Sequence, residues 1–104
     1  MFETDSKLKT YREKIDNLDA EILVLLCKRF EMVKKIGIYK KNKKINVIQQ
    51  DRIREIIEKV EKFALCHRIN PILFKKIYRS IIESSCEMEF CEVEDGAKSK
   101  WNMD

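Results

Sequence analysis

Between residues 12 and 40, one face of the chain can be found by counting. Arg12, Ile15, Asp19, Ile22, Leu26, Arg29, Val33, Ile36 and Lys40 follow one another in alternating steps of three and four. Such steps trace one stripe along an α-helix, in the heptad-like form of a helix that packs on a neighbour. Leu8, Leu18 and Leu25 widen the stripe, and Gly37 is the only weak helix former that interrupts it badly. The pattern predicts one helix from about Ser6 to Lys41. At 1.5 Å per residue such a helix is about 54 Å long. A compact domain of 100 residues has a radius of gyration of only about 13 Å. Two shorter helices cannot close a globule around it. Another copy of the chain is the simplest cover for the seam, so the expectation is an obligate dimer with its long helices packed together.

The remainder reads as helix too. Lys40 to Asn46 (KKNKKIN) is polar and reads as a loop. A second helix is expected from about Gln49 to Cys66, with Ile53, Ile56, Ile57, Val60, Phe63 and Ala64 on one face. After a short turn, Asn70 and Pro71 make a good helix start: the Asn side chain caps, and Pro fits the first turn, where no N–H is needed. The third helix should run from about Pro71 to Phe90, with Phe74, Ile77, Tyr78, Ile81, Ile82 and Ser85 on its stripe and Glu89 a turn further. From Glu92 to Asp104 the pattern dissolves. The fold class is therefore all-α, one long helix and two shorter ones, with a helical domain over 1–91 and a flexible tail over 92–104.

Composition excludes several classes of function. The 104 residues include only two Gly and one Pro, too few for an ordinary β-sandwich or barrel and incompatible with a glycine-rich phosphate loop. His67 is the single histidine, which argues against His-rich zinc enzymes, and it reads as a turn residue at the solvent edge. Cys27, Cys66, Cys86 and Cys91 form no CxxC pair and no zinc spacing. They read as free thiols of a reducing cytoplasm. The polar start and the absence of an 18-residue apolar run give no signal core and no membrane span.

The informative residues are those that break the apolar stripe. Arg12, Arg29 and Lys40 share it with Ile15, Ile22, Leu26, Val33 and Ile36. A covered cation needs a carboxylate, from protein or from ligand. Snorkelling, or pairing with Asp19 or Glu21 of a neighbour, is the plain alternative. Arg12 and Arg29 stand 17 residues apart, roughly 25 Å along one helix, so no small molecule reaches both from one chain. Antiparallel long helices in a dimer would bring Arg12 of one chain toward the Arg29 to Lys40 stretch of the other. Arg52 at the start of the second helix, and Ser85 and Glu89 sharing a face of the third, complete a cation-rich pocket with one hydroxyl and one carboxyl group. Such a pocket suits a small dianion.

These residues carry a resemblance. Tyr-Arg-Glu-Lys-Ile-Asp-Asn-Leu-Asp at 11–19, Leu-Leu-Cys-Lys-Arg-Phe-Glu at 25–31, Lys-Ile-Gly-Ile-Tyr-Lys at 35–40, Asp51-Arg52, and Ile-Ile-Glu-Ser-Ser at 81–85 stand in the order and spacing of the all-helical chorismate mutases. Over Leu8 to Glu89 the chain resembles that family. The resemblance implies an intertwined homodimer with two equivalent sites, each built from both chains. It implies that Arg12 is lent by the partner chain and that Arg29 holds a substrate carboxylate. Lys40 contacts a carboxylate and the ether oxygen, Arg52 stands at the start of the second helix, and Ser85 lies near a carboxylate. Glu89 takes the place of a second donor to the ether oxygen, glutamine in many bacterial members and glutamate in fungal ones. The implied reaction is the cofactor-free rearrangement of chorismate to prephenate in aromatic amino acid biosynthesis, with no metal and no covalent nucleophile.

Two departures from the family pattern bear on the chemistry. A glutamate at position 89 must be protonated before it can donate to an ether oxygen, so turnover is expected to improve toward acid pH. Ile53 stands where many of these mutases carry a glutamate that binds the ring hydroxyl, and Gln49 replaces a common aspartate. Losing an acceptor there loosens substrate choice, which leaves open an isochorismate pyruvate lyase or a mutase acting on 4-amino-4-deoxychorismate. Two readings come from other classes. Lys34, Lys35, Lys40, Lys41, Lys43 and Lys44 could form a nucleic-acid patch, but no aromatics interleave and lysines at a helix C-terminus also complement its dipole. The expectation is therefore no nucleic-acid partner. A purely structural helical dimer would leave Arg29 within the seam unexplained.

Overall fold

The computed structural model describes residues 5–93 as three helices, with no strand among them. Helix α1 runs Ser6–Lys43, α2 Gln50–Cys66 and α3 Pro71–Val93. The all-α class and the division into one long and two shorter helices follow the sequence reading.

The ends of the helices have local causes. Asp5 caps α1, its Oδ1 accepting from the N–H of Lys7 at 2.9 Å and of Leu8 at 3.4 Å. Gly37 does not break α1; it is buried within it. The lysine-rich segment expected as a loop is still helix through Lys43. The backbone ends α1 in a Schellman turn, with Ile45 N–H donating to Lys40 O at 2.9 Å and Lys44 N–H to Lys41 O at 3.3 Å. Three basic residues in the last turn, Lys40, Lys41 and Lys43, suit the negative end of the helix dipole.

Helix α2 ends in the same way. Ile69 N–H donates to Ala64 O at 2.9 Å and Arg68 N–H to Leu65 O at 3.2 Å. In both turns the left-handed position is held by a residue other than glycine, Lys44 at φ 56° and Arg68 at φ 57°. His67, exposed as expected, stacks on Phe63 with ring centroids 4.0 Å apart. Asn70 caps α3 as the sequence predicts, its Oδ1 accepting from Ile72 N–H at 3.0 Å. Helix α3 continues three residues past Phe90, so the tail boundary expected at 92 falls inside it. Residues 94–104 of that tail lie outside the described residues.

The chain divides into two compact units, at Met32 and Val33. The described part of the first is the α1 stretch over 5–32. Its stripe residues Leu8, Ile15, Leu18, Ile22 and Leu25 are 42–63% exposed in the single chain. Leu26, Arg29 and Phe30 are half-buried.

The second unit holds the end of α1 and the α2–α3 hairpin. Val33, Val47, Ala64, Ile82 and Cys91 are its buried core. Ile53, Ile56, Ile57 and Val60 on α2 are half-buried, as are Phe74, Tyr78 and Ile81 on α3. Phe63 and Phe74 stack across the hairpin at 6.3 Å, and Lys75 Nζ meets Glu61 Oε2 at 3.2 Å. None of the large side chains described is fully buried.

Candidate active site

Helix α1 presents Lys40 one turn before its end, and α3 presents Glu89 one turn before its own. Lys40 Nζ donates to Glu89 Oε1 at 2.7 Å and to the Val47 carbonyl oxygen at 2.7 Å. The two side chains are only 14% and 10% exposed. Two opposite charges so nearly covered are costly unless they pair well, and here each has a short, charge-assisted partner. The sequence reading placed both in the site, and the structure brings them together.

Ser85 lies one turn before Glu89 on α3 and is buried, 6% exposed. Its Oγ donates to Ile81 O at 2.8 Å, so the hydroxyl is tied back to its own helix. Cys86 also belongs to this end of α3. Burial pushes its thiol above the ordinary range, Glu89's negative charge adds to that, and Lys40 opposes it. A cavity of about 500 Å³ is lined by Ile48, Ile53, Ile82 and Cys86, together with Arg79 and Glu83 among others. Ile53 thus contributes an apolar side chain to a cleft that holds Cys86, itself within electrostatic reach of the Lys40–Glu89 pair.

Of the other expected site residues, Arg52 and Gln49 bond to near neighbours in the chain, and Arg12 and Arg29 belong to the other unit. Arg52 is exposed, and its Nη1 donates to Glu55 Oε1 at 2.6 Å, one turn along α2. That hydrogen bond, and then the guanidinium charge, hold the Glu55 carboxyl below its ordinary range. Gln49 is exposed, its Nε2 donating to Asn46 O at 2.9 Å. Arg12 is exposed and Arg29 half-buried, both in the first unit.

Two participants escaped the sequence reading. Cys86 follows Ile82 by four and precedes Glu89 by three, so the spacing on α3 could have found it. The Val47 carbonyl is a backbone atom, and no residue type announces it. Among the described residues, no group of three or more His, Cys, Asp or Glu side chains is placed to hold a metal ion.

This geometry falls within a segment that known proteins share. Residues 11–90 match the family described as chorismate mutase type II, and the chain belongs to that family. It is 28% identical over 82 residues to a 4-amino-4-deoxychorismate mutase of Streptomyces pristinaespiralis, covering 79% of this chain and 64% of that protein. It is 34% identical over 88 residues to a bifunctional chorismate mutase/prephenate dehydratase of Aquifex aeolicus, covering 80% of this chain and 24% of the relative. A chorismate mutase of Methanocaldococcus jannaschii is 29% identical over 77 residues, covering 74% of this chain and 78% of the relative. The chain therefore spans less than two thirds of the streptomycete protein and about a quarter of the bifunctional one.

Proposed function

We propose that this chain is a chorismate mutase, an isomerase that converts chorismate to prephenate by a cofactor-free Claisen rearrangement in aromatic amino acid biosynthesis. The observation that carries the reading is the nearly covered Lys40–Glu89 pair, 2.7 Å apart, inside the segment that matches the family. The reaction is unimolecular. The C–O bond breaks ahead of C–C bond formation, and negative charge grows on the ether oxygen. Donors fixed beforehand and shielded from water, the Lys40 ammonium and the Glu89 carboxyl group once it has taken up a proton, stabilise that charge better than water does. Arg29, Lys40 and Arg52 bind the substrate carboxylates, with Ser85 beside one of them, and hold the enolpyruvyl arm over the ring.

The working form in this reading is a homodimer with two shared sites, each completed by the partner's Arg12. The exposed stripe of Leu8, Ile15, Leu18, Ile22 and Leu25 supports it, since a second chain would remove that surface from water at about 25 cal/mol per Å² of apolar area. No helix among the described residues is long and apolar enough to cross a membrane, in keeping with an enzyme of the cytoplasm.

A second reading keeps the fold and the cations but changes the ring. Ile53 lines the cleft with an apolar side chain, and the streptomycete relative is named for 4-amino-4-deoxychorismate. That reading covers a mutase on that substrate or a lyase on isochorismate. One experiment separates them: incubate the purified protein with chorismate, isochorismate and 4-amino-4-deoxychorismate in turn, and identify the products. The expected result is prephenate from chorismate, at the highest kcat/KM of the three. Salicylate and pyruvate from isochorismate, or preferred turnover of the amino compound, would replace the first reading with the second.

A further inference from the structure

Lys40 is fastened at both ends. Its carbonyl accepts from Ile45 N–H at 2.9 Å, and its ammonium donates to Val47 O at 2.7 Å. The residue therefore brackets the turn that leaves α1. Lys44, at φ 56°, reverses the chain within that turn, and Val47, only 7% exposed as a residue, belongs to the buried core. The place of the Val47 carbonyl is thus set by a defined turn on one side and a buried anchor on its own residue.

An ammonium group has three N–H donors and no acceptor. One goes to Val47 O and a second to Glu89 Oε1, which leaves one for a ligand oxygen. The two protein partners behave differently during the proposed reaction. Glu89 must carry a proton to act as a donor, and it then loses the charge that strengthens its bond to Lys40. The Val47 carbonyl does not titrate.

We propose that Val47 is a positioning residue for Lys40: its carbonyl, held by the buried side chain and the left-handed turn at Lys44, aims the ammonium and keeps it aimed when Glu89 is neutral. This role rests on the proposed reaction, and it adds a backbone group to the site that no side-chain comparison would reveal.

The test replaces the peptide bond between Val47 and Ile48 by an ester, in a full-length chain assembled by ligation at Cys27 and Cys66. The ester keeps the carbonyl in place but makes it a poorer acceptor. The expected result is a kcat about tenfold lower with KM changed less than about twofold, as for a misaimed group that acts in the transition state. The loss should be larger in the Glu89→Gln background, where the carboxylate no longer holds the ammonium. The ¹⁵N signal of the Lys40 ammonium should also broaden and exchange faster with water. Val47→Ala, checked for folding by circular dichroism, should lower kcat in the same way. Wild-type kcat and an unchanged Lys40 signal in the ester protein would overturn the proposal. If the unmodified protein does not turn over chorismate, the proposed reaction fails by itself, and the Lys40 signal still decides whether Val47 aims the ammonium.

Discussion

Lys40 and Glu89 are 49 residues apart in the chain, yet Nζ and Oε1 meet at 2.7 Å with both side chains nearly covered. A pair of this kind is poor evidence for stability, because its desolvation cost approaches its Coulombic gain. It is better evidence for a site. Substituting Lys40 by Met, which keeps the length of the side chain, should lower kcat by about 10²- to 10³-fold, the loss typical of one donor to a developing oxyanion. Steady-state assays with chorismate measure it, and a loss of less than tenfold would remove Lys40 from the chemistry.

Glu89 is proposed as the second donor to the ether oxygen, a role a carboxyl group fills only while it carries a proton. Glu89→Gln supplies an amide donor at every pH, so that variant should be more active than the wild type at neutral pH. A Glu89→Gln protein with equal or lower activity at neutral pH contradicts this assignment.

Arg52 pairs with Glu55 along the exposed face of α2. Exposed pairs at this spacing contribute little to stability, so Arg52→Ala should barely change the unfolding midpoint. As a binder of a substrate carboxylate it should nonetheless raise KM, by about tenfold for a charge-assisted bond lost on an accessible group. A large loss of stability with unchanged KM would assign Arg52 to the fold instead of the site.

The two left-handed residues give a prediction about stability alone. Lys44 at φ 56° and Arg68 at φ 57° occupy a region that costs a side-chain-bearing residue roughly 1 kcal/mol relative to glycine. Arg68→Gly, remote in sequence from the Lys40 turn, should stabilise the protein by a few tenths to about 1 kcal/mol, the gain being reduced by the freer unfolded chain. Denaturant titration reads it. A loss of stability would mean that the Arg68 side chain makes contacts that outweigh its backbone strain.

What the sequence disclosed and what it hid follow from the same physics. The steps of three and four from Arg12 to Lys40 marked α1 because side chains on one helix face recur at that spacing, and Asn70-Pro71 marked the start of α3 because both residues fit a helix N-terminus for chemical reasons. The end of α1 was misplaced because KKNKKIN is as polar as a loop. Its first four residues stay helical since lysines suit a helix C-terminus and the Schellman turn needs only backbone groups. Lys40 and Glu89 were legible as polar residues on apolar stripes. Val47 was not, because its contribution is a carbonyl oxygen placed by a turn. Arg52, expected in the site, pairs with Glu55, a neighbour one turn away that a search for site residues passes over.

In the proposed dimer each site draws on two chains, Lys40 and Glu89 from one and the partner's Arg12 from the other. Mixing two inactive variants tests this sharing. Arg12→Ala and Lys40→Met proteins are unfolded together in equal amounts and refolded. Random pairing makes half of the dimers mixed, and each mixed dimer contains one site with every residue intact, so about one quarter of wild-type activity should return. Activity no higher than that of the two variants refolded separately would show that Arg12 and Lys40 do not complete one site across a dimer.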